Sequence, residues 1–143
     1  MSSYVFAVTG IPAPQGSKRP VRLGTGRIGM VESSKAVGPW RERVAAEAQH
    51  VVSVPLGGPV AVTLEFSLTR PKSHYGTGRN ASAVRESAPG WPDGKPDIDK
   101  LARSTLDGLT AAGAWKDDAQ VVMLTLAKQY GELPGCTIRL EAL

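Results

Sequence analysis

The chain has 143 residues, 41% of them hydrophobic, with 16 glycines, 11 prolines, a single cysteine and a formal net charge of +4. This composition suits one domain with a modest core and long loops, and it argues against a two-domain enzyme. With Cys136 alone, an internal disulfide framework is excluded, and a zinc centre could draw only on His50 and His74 besides.

Tyr4, Phe6 and Val8 alternate with Val5, Ala7 and Thr9 and predict a short first strand. Residues 10–32 then carry Pro12, Pro14, Pro20 and several glycines, which reads as a loop bearing basic side chains. Ser33 or Ser34 is placed to cap a helix running to about Val52, with Val37, Trp40, Val44, Ala48 and Val51 on one stripe. Val60, Val62, Leu64, Phe66 and Leu68 alternate strictly with Ala61, Thr63, Glu65, Ser67 and Thr69, a strand with one dry face.

Residues 70–96 are rich in Gly and Pro with little to bury, too long for a mere connection; they are either a functional arm or a locally disordered stretch. A second helix fits Asp99 to Ala112 and ends at Gly113. The run Val121, Val122, Met123, Leu124 and Leu126 predicts a strand buried on both faces. Cys136, Ile138, Leu140 and Ala142 mark a last strand. The expectation is an α/β mixed (α+β) fold, a single domain with a small mixed sheet and two main helices in the order β-α-β-α-β-β. No apolar run approaches the ~20 residues of a membrane span, and Met1 to Thr9 does not look like a secretion signal. A soluble cytoplasmic protein is expected, without membrane or nucleotide cofactor.

The charges are unevenly spread. Between Gly10 and Arg43 the bases Lys18, Arg19, Arg22, Arg27, Lys35, Arg41 and Arg43 face only Glu32 and Glu42, which favours a polyanionic partner. Acid gathers instead at Asp93, Asp97, Asp99, Asp107, Asp117 and Asp118. Asp97 and Asp99 flank Ile98 before the second helix, and Asp118 precedes the apolar strand. If the helix and strand fold back on one another, the short Gly113–Asp117 connection brings the three carboxylates together, and a hard dication such as Mg²⁺ would relieve their repulsion. Each residue also has a plainer role: Asp99 as helix cap, Asp117 and Asp118 as a turn, Asp107 as a surface partner of Arg103.

The segment from Lys95 to Val122, KPDIDKLARSTLDGLTAAGAWKDDAQVV, resembles the core motif of RusA-type Holliday junction resolvases. The likeness runs through Pro96, Asp97, Asp99, Leu101, Asp107, Leu109, Gly113, Trp115, Asp117, Asp118, Gln120 and Val121. A looser likeness is PAPQGSKRP, from Pro12 to Pro20, which is similar to the Pro-rich basic loop of phage members. The resemblance implies a phage- or prophage-type endonuclease in DNA recombination and repair. Such an enzyme acts as a homodimer on four-way (Holliday) DNA junctions with Mg²⁺, for which Mn²⁺ is expected to substitute. It places the metal-binding, catalytic aspartates on Asp97, Asp99 and Asp118. The functional lysine of the family falls on Arg103, and its Asn after the second Asp on Lys100, two departures that leave the ligand set whole.

In that reading Arg103 reaches a phosphate oxygen, unless it is spent on a salt bridge to Asp99 or Asp107. Lys18, Arg19, Arg22 and Arg27 contact the DNA backbone. Lys72, His74, Tyr75 and Arg79 form a second, weaker candidate surface, while Trp40 and Trp115 read as core. The rival readings are a nuclease for flaps, forks or other branched DNA, a DNA-binding protein without catalysis, and an interaction protein whose long loop folds on a partner.

Overall fold

The computed structural model describes all residues except Met1, Ser17, Leu23, Thr25, Arg27, Ser33 and Ser34, and only the backbone at 18–21 and 28–32. The strands are β1 (Ser3–Thr9), β2 (Lys18–Arg22), β3 (Ile28–Glu32), β4 (Val60–Leu68), β5 (Val121–Tyr130) and β6 (Gly135–Ala142). The helices are α1 (Val37–Val51) and α2 (Ile98–Ala111). One mixed sheet has the order β1-β6-β4-β5, and β2 and β3 form a separate antiparallel pair. The expected order β-α-β-α-β-β is therefore met by β1, α1, β4, α2, β5 and β6, and the basic segment 10–32 adds a hairpin where a loop was expected. No described helix is long and apolar enough to cross a membrane.

Alternation sets the register. Phe6 faces Ile138 and Val8 faces Cys136 across β1–β6, while Leu64 and Phe66 meet the same two residues from β4. One face of the sheet is thereby a continuous apolar row, and both helices cover it. From α1 come Trp40, Val44 and Ala48, from α2 Leu101 and Leu109, all buried. Trp40 and Trp115 are core, as expected.

The two helices approach closely because Gly108 has no side chain; a Cβ there would stand 2.9 Å from Cβ of Val44. Beside it the Trp40 indole donates to Oγ1 of Thr105 (3.1 Å), and Thr105 donates to the Leu101 carbonyl (2.8 Å), so the buried polar atoms are satisfied. Helix α1 starts at Val37 with Ala36 in the cap position and no side-chain cap; Ser33 and Ser34 lie outside the described residues.

Two expectations need correction. β5 is not buried on both faces: it is the last strand of the sheet, with Val122, Met123 and Leu124 exposed. Its parallel pairing with β4 through the α2 crossover leaves its other edge unpaired among the described residues. Asp107 does not pair with Arg103 but lies 3.8 Å from Arg41 of α1.

The 70–96 segment is held by local structure. Two short helical turns (Lys72–His74 and Gly78–Asn80) and a bridge between Tyr75 and Val84 organise it. Arg70 stacks over the Tyr130 ring at 4.3 Å, and His74 meets that ring edge-on at 5.5 Å.

Candidate active site

The site residues are built on the two ends of α2. At its start, Asp97 occupies the cap position without a side-chain cap bond, and Asp99 sits in the first turn, not at the cap. Both are exposed. A carboxylate there is favoured by the helix dipole. Lys100 comes within 3.8 Å of Asp97, so the residue that replaces the motif's Asn partly neutralises this carboxylate.

The Pro12–Gln15 segment is stitched alongside: Ser104 Oγ donates to the Ala13 carbonyl (2.6 Å) and the Gln15 amide to the Lys100 carbonyl (3.0 Å). With Lys95 and Pro96 it lines an open cleft of about 580 Å³ that includes Asp97. The same segment leads directly into β2, so the backbone of Lys18 and Arg19 stands in the hairpin rooted at this cleft. Arg22 is exposed at the end of β2. Arg27 lies outside the described residues, and so do the side chains of Lys18 and Arg19.

At the other end of α2 a helical turn, Asp118–Gln120, introduces β5. Asp117 caps it by accepting from the Ala119 amide (2.9 Å). The Gln120 side chain accepts from the Lys116 and Asp117 amides (2.9 and 3.2 Å) and donates to the Leu56 and Gly58 carbonyls (3.0 and 2.9 Å). Each of these roles spends its polar group on the turn, a physical reason for the D-D-x-Q spacing.

Asp118 is exposed toward a second cleft of about 600 Å³, shared with Asp107, Arg41 and Thr110. Partial burial, then a hydrogen bond and the negative charge of Asp117, then the charge of Asp107, hold its carboxyl above the usual aspartate range. Arg103 is exposed one turn beyond Asp99 and makes no ion pair among the described residues.

The three aspartates do not converge within one chain. α2 is about 20 Å long at ~1.5 Å per residue, with Asp97 capping one end and Asp118 beside its last turn. β5 runs back antiparallel to it: Lys128, near the end of β5, donates to the carbonyls of Gly94 (2.6 Å) and Pro96 (2.8 Å), next to Asp97. The fold-back thus occurs, but it carries Asp118 to the far end of the helix. No group of three His, Cys, Asp or Glu side chains among the described residues could hold a metal ion. Taken singly, the chain offers Mg²⁺ two of these carboxylates at one end of α2 and one at the other, which does not fit a three-carboxylate site.

Lys128 and Arg41 escape a motif-based search, because they act through folding contacts with no local pattern. Gln120 stands in the D-D-x-Q motif, but its part in building the turn is seen only in the structure.

The family model of endodeoxyribonuclease RusA matches residues 10–141. The chain belongs to the RusA endodeoxyribonuclease family. A curated relative, the "Uncharacterized protein YqaN" of Bacillus subtilis (strain 168), is 30% identical over 135 residues, covering 94% of this chain and 92% of the relative. The family match begins at Gly10, so it takes in the basic hairpin as well as both aspartate positions. Members of the RusA family are endonucleases that act on DNA junctions.

Proposed function

We propose that this protein is an Mg²⁺-dependent endodeoxyribonuclease that resolves four-way DNA junctions by paired symmetric nicks, as a homodimer. Mn²⁺ is expected to substitute. The observation that supports it is the pairing of P-D-x-D at 96–99 with D-D-x-Q at 117–120 inside a RusA match that spans nearly the whole chain.

Phosphodiester hydrolysis needs an activated water and relief of the charge growing on the phosphoryl oxygens, and Mg²⁺ would supply both when bound. Asp97, Asp99 and Asp118 are the proposed ligands and catalytic carboxylates; they stand apart within one chain and come together only in the proposed homodimer. Arg103 is exposed one turn from Asp99 and makes no ion pair among the described residues, so its guanidinium is available to a phosphate oxygen. Lys18, Arg19, Arg22 and Arg27 are proposed to hold the DNA backbone without reading sequence. Two symmetric cuts require two equivalent sites, and a chain with one set of aspartates presents them most simply as a two-fold pair. The cytoplasm is the proposed location.

One gel tests the activity. A synthetic four-way junction is to be cut symmetrically in Mg²⁺ and left whole in EDTA, while linear duplex stays intact. Binding without nicking in Mg²⁺ would leave a DNA-binding protein, and faster cutting of flaps would change the substrate alone. The basic hairpin has its own measurement: replacing Lys18 and Arg19 by Ala lowers the slope of log affinity against log salt by roughly one unit per lost contact.

A further inference from the structure

The 70–96 arm and the end of β5 enclose a cleft that the aspartate chemistry leaves unused. It measures about 320 Å³, and Arg70, Tyr75, Ser82, Tyr130 and Glu132 are among the residues that line it. Its walls are preformed. Arg70 sits over the Tyr130 ring at 4.3 Å and is held there by donating to the Pro89 carbonyl (2.8 Å). Tyr75 is fixed by its bridge to Val84 and by Arg85, which donates to the Tyr75 carbonyl (2.7 Å). Both tyrosines are only half-buried, and Ser82 and Glu132 add an exposed hydroxyl and carboxylate to the lining.

That set of groups has a specific chemical complement. Phenol rings and a guanidinium offer flat faces for stacking, while a hydroxyl and a carboxylate offer donors and acceptors to a ring edge. A nucleobase presents both a π-face and such an edge. The volume lies at the small end of ligand clefts, ~300–1,000 Å³, with room for one base and not for a stretch of duplex. The surroundings suit a nucleic acid: from 70 to 94 the arm carries Arg70, Lys72, Arg79 and Arg85 against Glu86 and Asp93. Next to Gly90, which also lines the cleft, Trp91 leaves 67% of its surface in solvent. The cleft also stands near the first aspartates, because Lys128, two residues before Tyr130, donates to the Gly94 and Pro96 carbonyls beside Asp97.

We propose that this cleft receives one unpaired nucleobase from the branch point of the DNA, and that the arm thereby selects where the strand is cut. Tyr75 and the Arg70–Tyr130 pair are its stacking walls, and Ser82 and Glu132 meet the edge of the base. The inference rests on branched DNA being the substrate, since a closed duplex offers no free base.

Photo-cross-linking without metal tests it, because no cleavage is needed. Four-way junctions carrying iodouracil at single positions are irradiated with the protein in EDTA, and the adducts are located by mass spectrometry. Adducts are expected on Tyr75 or Tyr130 from positions at the branch point and not from positions deep in the arms of the junction. Adducts confined to Trp91, or to residues outside the cleft, would overturn the pocket. An abasic nucleotide at the cross-linking position is expected to weaken wild-type binding roughly tenfold. It should cost Tyr75→Ala little, because the contact is already gone, whereas Tyr75→Phe, which keeps the ring, should lose affinity like the parent. Equal losses in Tyr75→Ala and the parent would overturn the stacking role. A protein that cross-links as expected yet never cuts in Mg²⁺ would overturn the endonuclease reading and leave the pocket standing. One that cuts junctions without these adducts would overturn the pocket alone.

Discussion

At its C-terminal end α2 runs into a turn whose polar groups are almost all committed: Asp117 to the Ala119 amide, Gln120 to four backbone groups, and Trp115 Nε1 to Thr110 Oγ1 (2.7 Å). At its N-terminal end the corresponding region is made of loop segments, the cap position forms no side-chain cap bond, and among the described residues the counter-charge beside Asp97 is an exposed lysine 3.8 Å away. One carboxylate is thus carried on a rigid mount, and the other two on a surface assembled from distant parts of the chain. Precision at the first end comes from hydrogen bonds within a few residues. At the second it depends on Ser104, Gln15 and Lys128 reaching across the fold.

Removing the carboxylate from the rigid end carries the largest expected effect. Asp118→Asn is expected to reduce cleavage by roughly 10²-fold or more while junction binding, read by gel shift, stays equal or tightens because a negative charge near DNA is gone. Parental cutting rates would show that the well-mounted carboxylate is not used.

Breaking the mount itself comes next. Gln120→Ala leaves the Leu56 and Gly58 carbonyls and two amides without their partner, at a cost of about 1–3 kcal/mol. It should lower the thermal midpoint and loosen Asp118 together, which thermal melts and cleavage rates would report.

At the soft end, Lys100→Asn restores the residue type expected there and frees Asp97. Exposed ion pairs are worth about 0–1 kcal/mol, so Mn²⁺ binding should tighten by no more than about fivefold. A loss of binding would mean that Lys100 supports the site.

The smallest effect concerns protonation at the rigid end. The Asp118 carboxyl titrates above its ordinary range through partial burial and then through the hydrogen bond and charge of Asp117. Folded chains therefore hold this proton at a pH where unfolded chains have lost it, and stability falls as pH rises through the titration. Asp117→Asn removes that charge and should move the Asp118 midpoint down, observable by NMR titration of the metal-free protein.

Much of this architecture is legible in the sequence. The strict alternation from Val60 to Leu68 gave β4, and the stripe of Leu101, Thr105 and Leu109 gave α2 within a residue or two. What escaped was relative placement. A continuous apolar run in β5 reads as burial on both faces, because periodicity does not register which strand stands last in a sheet. The short Gly113–Asp117 link implied that Asp118 returns toward Asp97. A helix and a strand lying antiparallel meet at the link and part at their far ends, so a tight connection separates these positions. The β2–β3 hairpin was hidden by the prolines and glycines around it.

The place of β6 governs the order in which the protein can assemble. It follows every other strand along the chain, yet it lies second in the sheet, between β1 and β4, with Ser3 paired to Glu141 and Val60 to Ala142. Until β6 emerges from the ribosome, β1 has no neighbour in the sheet, and the inner edge of β4 is bare. Such pairing across most of the chain slows folding and leaves apolar strands uncovered during synthesis. A nascent chain halted before Gly135 should therefore engage chaperones strongly, and release of the last strand should close the sheet in one cooperative step.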